Sequence, residues 1–181
     1  MTDDVVGFPI QRPGYTVKRL TPADAPVLQT LYEQCRDYAL LSDGEPPPPT
    51  AALDEFSALP PGKTTADKYM FGLVDPEHEL IALIESIRHY PDEQSWWLGL
   101  MMVSPTQRGR GIGAAFYAAF ERWVATQGGK QIALGVLAAN AAGLRFWQSL
   151  GFTLVRQTEP RQYGQKMHIV YVMQRAIDMP Q

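Results

Sequence analysis

The stretch Val103–Phe120, "VSPTQRGRGIGAAFYAAF", sets Gly109, Gly111 and Gly113 at the start of a run of strong helix formers. The first turn of a helix carries unpaired N–H groups and a partial positive charge, so it suits an anion. Glycine there lets the backbone approach that anion and adopt φ values other residues avoid. Arg108 and Arg110 add charge of the right sign. Residues 108–114, including Ile112 and Ala114, therefore read as a phosphate cradle opening a helix, with a plain glycine turn as the alternative.

The same residues fit the G-x-G-x-x-A form of a dinucleotide fingerprint, through Gly109, Gly111 and Ala114. That fingerprint needs an acid about twenty positions later to hold a ribose. Here the region reads "KQIALGVLAAN" (130–140) and contains none. A P-loop fails as well, because no Gly-Lys-Ser/Thr follows at the required spacing. A nicotinamide site is disfavoured.

The rest of the chain narrows the class. At 181 residues it is long enough for one domain with a proper core. A net charge of −3 gives no reason to expect a nucleic acid or an anionic membrane as partner. The single cysteine, Cys35, excludes an internal disulfide and fits a reducing cytoplasm. No apolar run is long enough to span a bilayer, and the opening "MTDDVVGFPIQRPGY" is acidic rather than signal-like. Three scattered histidines and one cysteine form no metal-ligand pattern.

Residues 1–14 are expected to be an irregular arm, 15–175 the folded domain, and 176–181 a tail. "YTVKRLT" (15–21) alternates like a short strand. Thr21 with Pro22 opens a helix expected to run to about Leu41, with Val27, Leu28, Leu31, Cys35, Tyr38 and Leu41 at helical spacing. Pro46–Pro49 cannot lie inside a helix or strand and makes a stiff loop, either a connector or a wall over a substrate site. A short helix (50–59) follows. Runs 68–74, 79–90 and 95–103 read as strands joined by turns, hence antiparallel neighbours. The glycine helix (109–127) and strand 130–137 come next. Asn140 then caps a helix ending at Gly151. "FTLVRQ" (152–157) and "KMHIVYVMQR" (166–175) close the chain as strands. The order βααβββαβαββ describes one α/β domain, a mixed, mostly antiparallel sheet of about seven strands flanked by helices.

Strand "WWLGLMMVSP" (96–105), then Arg108-x-x-Gly111-x-Gly113, then a strand, then "NAAGLRFWQSLGF" (140–152) resembles the GCN5-related N-acetyltransferase (GNAT) family. The resemblance extends from about Tyr15 to Arg175. It implies that the glycine loop, through Gly109, Arg110, Gly111, Ile112, Gly113 and Ala114, holds the pyrophosphate of acetyl-coenzyme A. It implies that Met101, Met102 and Val103 offer free backbone groups to the pantetheine arm, and that Asn140 and Trp147 line the same site. An exposed strand edge suits the amides of such an arm. The activity implied is transfer of an acetyl group to a primary amine of a small molecule or peptide by direct attack in a ternary complex. A non-catalytic acyl-CoA-binding module is the alternative. Strand 165–174 is a candidate for pairing across a homodimer.

The chain also departs from that family's pattern. Where many members carry a tyrosine that protonates the leaving thiolate, this chain has Trp147, whose indole N–H is not an acid. Where some place a basic glutamate after the glycine helix, this chain has Gly135; where others place one on the preceding strand, it has Trp96 and Trp97. The remaining candidate base is Glu85 in "ELIALIESIRHY" (79–90). It shares strand parity with Ile81, Leu83 and Ile87, and a carboxylate on an apolar face has a raised pKa. His89 and Glu93, in the following turn, are further candidates. Trp96, Trp97, Tyr38 and Tyr90 are candidates for an aromatic pocket or for the core.

Overall fold

Strands rich in β-branched and aromatic residues, separated by short polar turns, pair with the strand that follows them. β2 (Lys68–Val74), β3 (Leu80–Arg88) and β4 (Ser95–Val103) do so, as two successive antiparallel pairs. The computed structural model describes residues 7–177; residues 1–6 of the expected arm and 178–181 of the expected tail lie outside the described residues.

β1 (Thr16–Arg19) joins the edge at β2, and β5 (Gln131–Leu137) lies parallel to β4. β9 (Val170–Ala176) then pairs with β5, and β6 (Thr153–Gln157) pairs with β9. The resulting order, β1-β2-β3-β4-β5-β9-β6, is the expected mixed seven-stranded sheet.

Alternation sends the two faces of the sheet to two cores. Phe71, Leu73, Ala82, Ile84 and Trp96 pack beneath α4 (Ile112–Thr126), which buries Ile112, Phe116, Phe120 and Val124 at a regular four-residue spacing. α5 (Ala141–Ser149) lies on the same side through Trp147. On the other face Met70, Leu83 and Met102 meet Leu28 and Leu31 of α1 (Ala25–Gln34) together with Cys35. Burial of each such large apolar side chain stabilises by about 1.5–3 kcal/mol.

The structure differs from the sequence expectation in two elements. The helix expected to run to Leu41 breaks at Cys35 (φ −89°, ψ 25°), leaving α1 and a separate α2 (Arg36–Ser42). Its start is a 3₁₀ turn, Pro22–Asp24, in which Thr21 and Asp24 form a capping box. The break lets α1 lie on the sheet while α2 turns towards the open end of β4. The single strand expected over 166–175 divides at Ile169. Its first part, β8 (Lys166–His168), forms a separate hairpin with β7 (Arg161–Tyr163), and its second part is β9. Because β9 is flanked by β5 and β6, it offers no free edge to a second copy. Smaller differences trim the short helix to α3 (Ala51–Glu55) and the glycine helix to Ile112–Thr126. Residues 7–14 form no helix or strand, but Phe8 is buried, its ring centroid 4.8 Å from that of Phe71.

Candidate active site

The site starts from a mismatch in one strand pair. Along β3 and β4, Glu85 pairs with Leu100 while Ser86 pairs with Leu98, so Gly99 is an extra residue. Such a bulge bends its strand. β4 pairs with β5 only from Ser95 to Leu98, against Gln131 to Leu134, although β4 continues to Val103 and β5 to Leu137. The two strands fork. A crevice of about 60 Å³ opens there, lined by Leu98–Met101, Leu134–Leu137, Asn140, Trp147 and Tyr38.

One arm of the fork leads into a cleft of about 600 Å³ ending at the start of α4. Met101, Met102, Val103, Arg108, Gly109, Gly111, Ile112, Gly113, Ala114, Asn140 and Trp147 all line it, so the structure brings together the expected coenzyme residues except Arg110. Gly109 and Gly111 both take φ +73°, a left-handed conformation that penalises other residues, and Gly111 is the N-cap of α4. The first helical bond runs from Ala115 N–H to the Gly111 carbonyl, so the N–H groups of Ile112, Gly113 and Ala114 are left as donors. Gly113 has no positive φ; its role is clearance, since a Cβ there would lie 3.4 Å from the Phe146 ring. Asn140 is the N-cap of α5, accepting from Gly143 N–H at 2.9 Å.

The two arginines of the loop make other contacts in the structure. Arg108 is turned to Asp37 of α2, with contacts of 2.5 and 3.1 Å, and to the Val103 carbonyl at 2.9 Å. Hydrogen bonding to Arg108 holds the Asp37 carboxyl below its ordinary value, so the charge of Arg108 is spent within the protein. Arg110 is exposed and does not line the cleft, and its carbonyl accepts from Arg12 at 2.6 Å. Arg12, which lies 98 residues away in the chain, is the cation held beside the glycine turn. Local sequence carried no signal for it.

Trp147 is a packed wall. It is only 8% exposed and meets Tyr117, Phe146 and Phe152 edge-on at 5.6, 4.9 and 5.2 Å. Gly135 sits where a Cβ would lie 2.9 Å from Val170, so the backbone there has little room for a glutamate. Trp96 belongs to the core, and of the four aromatic candidates only Tyr38 lines the cavities at the fork.

On the other side of the fork lies a second cavity of about 280 Å³, lined by Tyr32, Cys35, Tyr38, Asp43, Glu55, Tyr163 and Leu100 among others. Pro47 and Pro48 form part of its wall, which is the role weighed for the proline loop. The β7–β8 hairpin holds that wall. Lys166 Nζ donates to the Leu40 carbonyl at 2.7 Å, His168 Nε2 lies 2.8 Å from the Ser42 carbonyl, and Gln165 N–H donates to the Asp43 carbonyl at 2.8 Å. Gly99 and Leu100 line both this cavity and the crevice, so the two meet at the bulge.

Glu85 lies under that meeting point. It is buried, 4% exposed, and a Cβ at Gly99 would stand 2.1 Å from its Oε2. The bulge glycine is what leaves room for the carboxylate. Lys68, itself buried, reaches Glu85 at 3.3 Å and Glu55 at 2.9 Å, and donates to the Ala58 carbonyl at 2.7 Å. Burial pushes the Glu85 carboxyl up to about 7, with Lys68 opposing and Glu55 reinforcing the change. Sequence reading missed Lys68 and Glu55. A lysine in a strand and a glutamate at the end of a short helix carry no local mark of their meeting.

The sequence pattern of the Acetyltransferase (GNAT) family matches residues 28–152. No curated protein matches the chain in sequence. Among solved structures, an acetyltransferase from Thermus thermophilus is similar with a TM-score of 0.70 and 23% identity, over 90% of this chain and 96% of that one. The spermidine N-acetyltransferase of Vibrio cholerae in complex with CoA and spermine superposes with a TM-score of 0.71 at 16% identity, over 93% and 98%. The ribosomal-protein-S18-alanine N-acetyltransferase of Escherichia coli does so at 0.66 and 18%, over 92% and 96%. With more than half its length matched by the family pattern and the forked strands and glycine cradle in place, the chain belongs to the GNAT acetyltransferase family.

Proposed function

We propose that the protein is an acetyl-CoA-dependent N-acetyltransferase that acylates a primary amine of a small molecule or peptide by direct attack in a ternary complex. The observation that carries this reading is the fork at Gly99, where a long cleft ending at a helix N-terminus meets a separate cavity.

The residues fit the coenzyme. The N–H groups of Ile112–Ala114 and the Arg12 guanidinium suit its pyrophosphate, and the edge of Met101–Val103 that β5 leaves unpaired, apart from the Val103 carbonyl that Arg108 engages, suits its amide-bearing arm. When bound, the coenzyme supplies an acyl thioester. The cavity across the fork carries Asp43 and three tyrosines, with Glu55 paired to Lys68, and among the described residues no lysine or arginine lines it, which suits a cationic amine. Spermine, present in the Vibrio cholerae structure, is of that class.

An ammonium must lose a proton before it can attack. Glu85, with its carboxyl raised to about 7, accepts that proton directly or through water near neutral pH. Positioning of the two reactants contributes up to about 7–11 kcal/mol in favourable cases, so the reaction does not need the tyrosine that Trp147 replaces. The test is release of free thiol from acetyl-CoA across a panel of diamines, polyamines, monoamines and peptides with free N-termini. Saturable turnover of at least one amine is expected. Tight coenzyme binding without turnover on every amine would leave only an acyl-CoA-binding module.

A further inference from the structure

At the fork, the wall facing Trp147 is Tyr38 of α2. Tyr38 is the one residue that lines the coenzyme cleft, the crevice and the acceptor cavity alike. Of the other two tyrosines of the acceptor cavity, Tyr32 donates to Glu55 at 3.3 Å, and Tyr163 lines that cavity without reaching the crevice or the coenzyme cleft. No hydrogen bond engages the Tyr38 hydroxyl among the described residues. The α5 helix offers no acid here, because Trp147 is an indole.

We propose that Tyr38 is the hydrogen-bond donor to the coenzyme's sulfur, supplied from α2 rather than from α5. The assignment rests on the acetyl-transfer reading above. In the step, the amine nitrogen's lone pair forms the new bond to the acetyl carbon, and the carbon–sulfur bond breaks with its electron pair going to sulfur. Glu85 or water having taken the ammonium's first proton, the nitrogen loses its second to solvent, and the thiolate takes one from solvent. Tyr38 begins and ends protonated.

The surroundings keep the phenol in that state. Burial raises its pKa, and Asp43 at the end of α2 and Tyr163 of β7 raise it further. Tyr32 of α1 and Glu55 of α3 share its acceptor cavity, Glu85 of β3 lies behind Gly99, and Asn140 and Cys35 are neutral neighbours. The cation nearest along the cleft, Arg108, is matched by Asp37. The donor form is therefore present throughout the working pH range.

The test compares wild type with Tyr38→Phe, which keeps the ring and removes only the hydroxyl. The first measurement titrates the thiol of bound coenzyme A by its ultraviolet difference absorbance against the same protein without coenzyme. A donor to the thiolate lowers that thiol's pKa, so the variant's bound thiol should titrate roughly one pH unit higher than in wild type. The second is steady-state kinetics on an accepted amine, where kcat should fall roughly 10–100-fold, by a factor constant with pH, with KM for acetyl-CoA unchanged. Tyr90→Phe, outside the cavities at the fork, should move neither. Identical titrations in wild type and Tyr38→Phe overturn the proposal, as does a loss confined to coenzyme affinity, which would make Tyr38 a wall. A Tyr38→Phe protein that fails to fold also overturns it, since a hydroxyl without a protein partner carries no packing. Wild type that binds coenzyme and acylates no amine defeats the acetyl-transfer reading, and the thiol titration then decides the role of Tyr38 by itself. Wild type that binds no coenzyme defeats both.

Discussion

Glu85 shows how one residue's neighbours set its chemistry. Burial favours the neutral acid, Lys68 opposes it, and the balance leaves the carboxyl at about 7. Glu85→Gln should lower kcat/KM at neutral pH by roughly 10²-fold and remove the acid limb of its pH profile. An unchanged profile would take Glu85 out of the mechanism. The same burial has a stability signature. The folded state holds this proton more tightly than the unfolded chain does, so the contribution is full below the ordinary carboxyl value of 4.5 and is lost as pH rises through about 7. The glycine at position 111 gives a second test at this scale. Its φ of +73° penalises a β-branched side chain, and a side chain there would also crowd Arg12. Gly111→Val should cost about 1–2 kcal/mol of stability and weaken acetyl-CoA binding by much more than that accounts for. Equal losses in melting and in titration would mean that the glycine serves the turn alone.

At the scale of elements, what the sequence made legible was what is periodic or local. The glycine helix and β4 carry long apolar patterns, and Asn140 and Gly151 mark both ends of α5. The break at Cys35 was hidden because Leu28, Leu31, Cys35 and Tyr38 keep helical spacing straight through it. The β7–β8 hairpin was hidden because each strand is three residues long and all but His168 are at least partly exposed. That hairpin holds the end of α2 and the start of the loop before the prolines against the cavity proposed for the amine. Gly164 makes the contact possible, with φ +49° and a Cβ position only 2.6 Å from the Asp43 carbonyl oxygen. Gly164→Ala should push the hairpin off α2 and raise KM for the amine several-fold, while acetyl-CoA affinity stays as in wild type. Parallel changes in both would show that the two cavities are not separable.

At the scale of the molecule, the two halves of the site differ in how far apart their residues lie in sequence. The cleft proposed for the coenzyme comes mainly from residues 101–114 and 140–149, a compact block that a single motif announces. The cavity proposed for the amine is assembled from α1, α2, α3, β4, β5 and β7, spanning Tyr32 to Tyr163, so no short stretch reveals it. Arg12 and Lys68 are likewise placed by folding alone. The central claim is that the cleft between the forked strands and α4 holds acetyl-CoA. Isothermal titration of acetyl-CoA into the wild-type protein tests it most directly. The account predicts one saturable site per chain, with Arg12→Ala weakening it by a few-fold. A flat titration at saturating acetyl-CoA, with the protein folded, would contradict it.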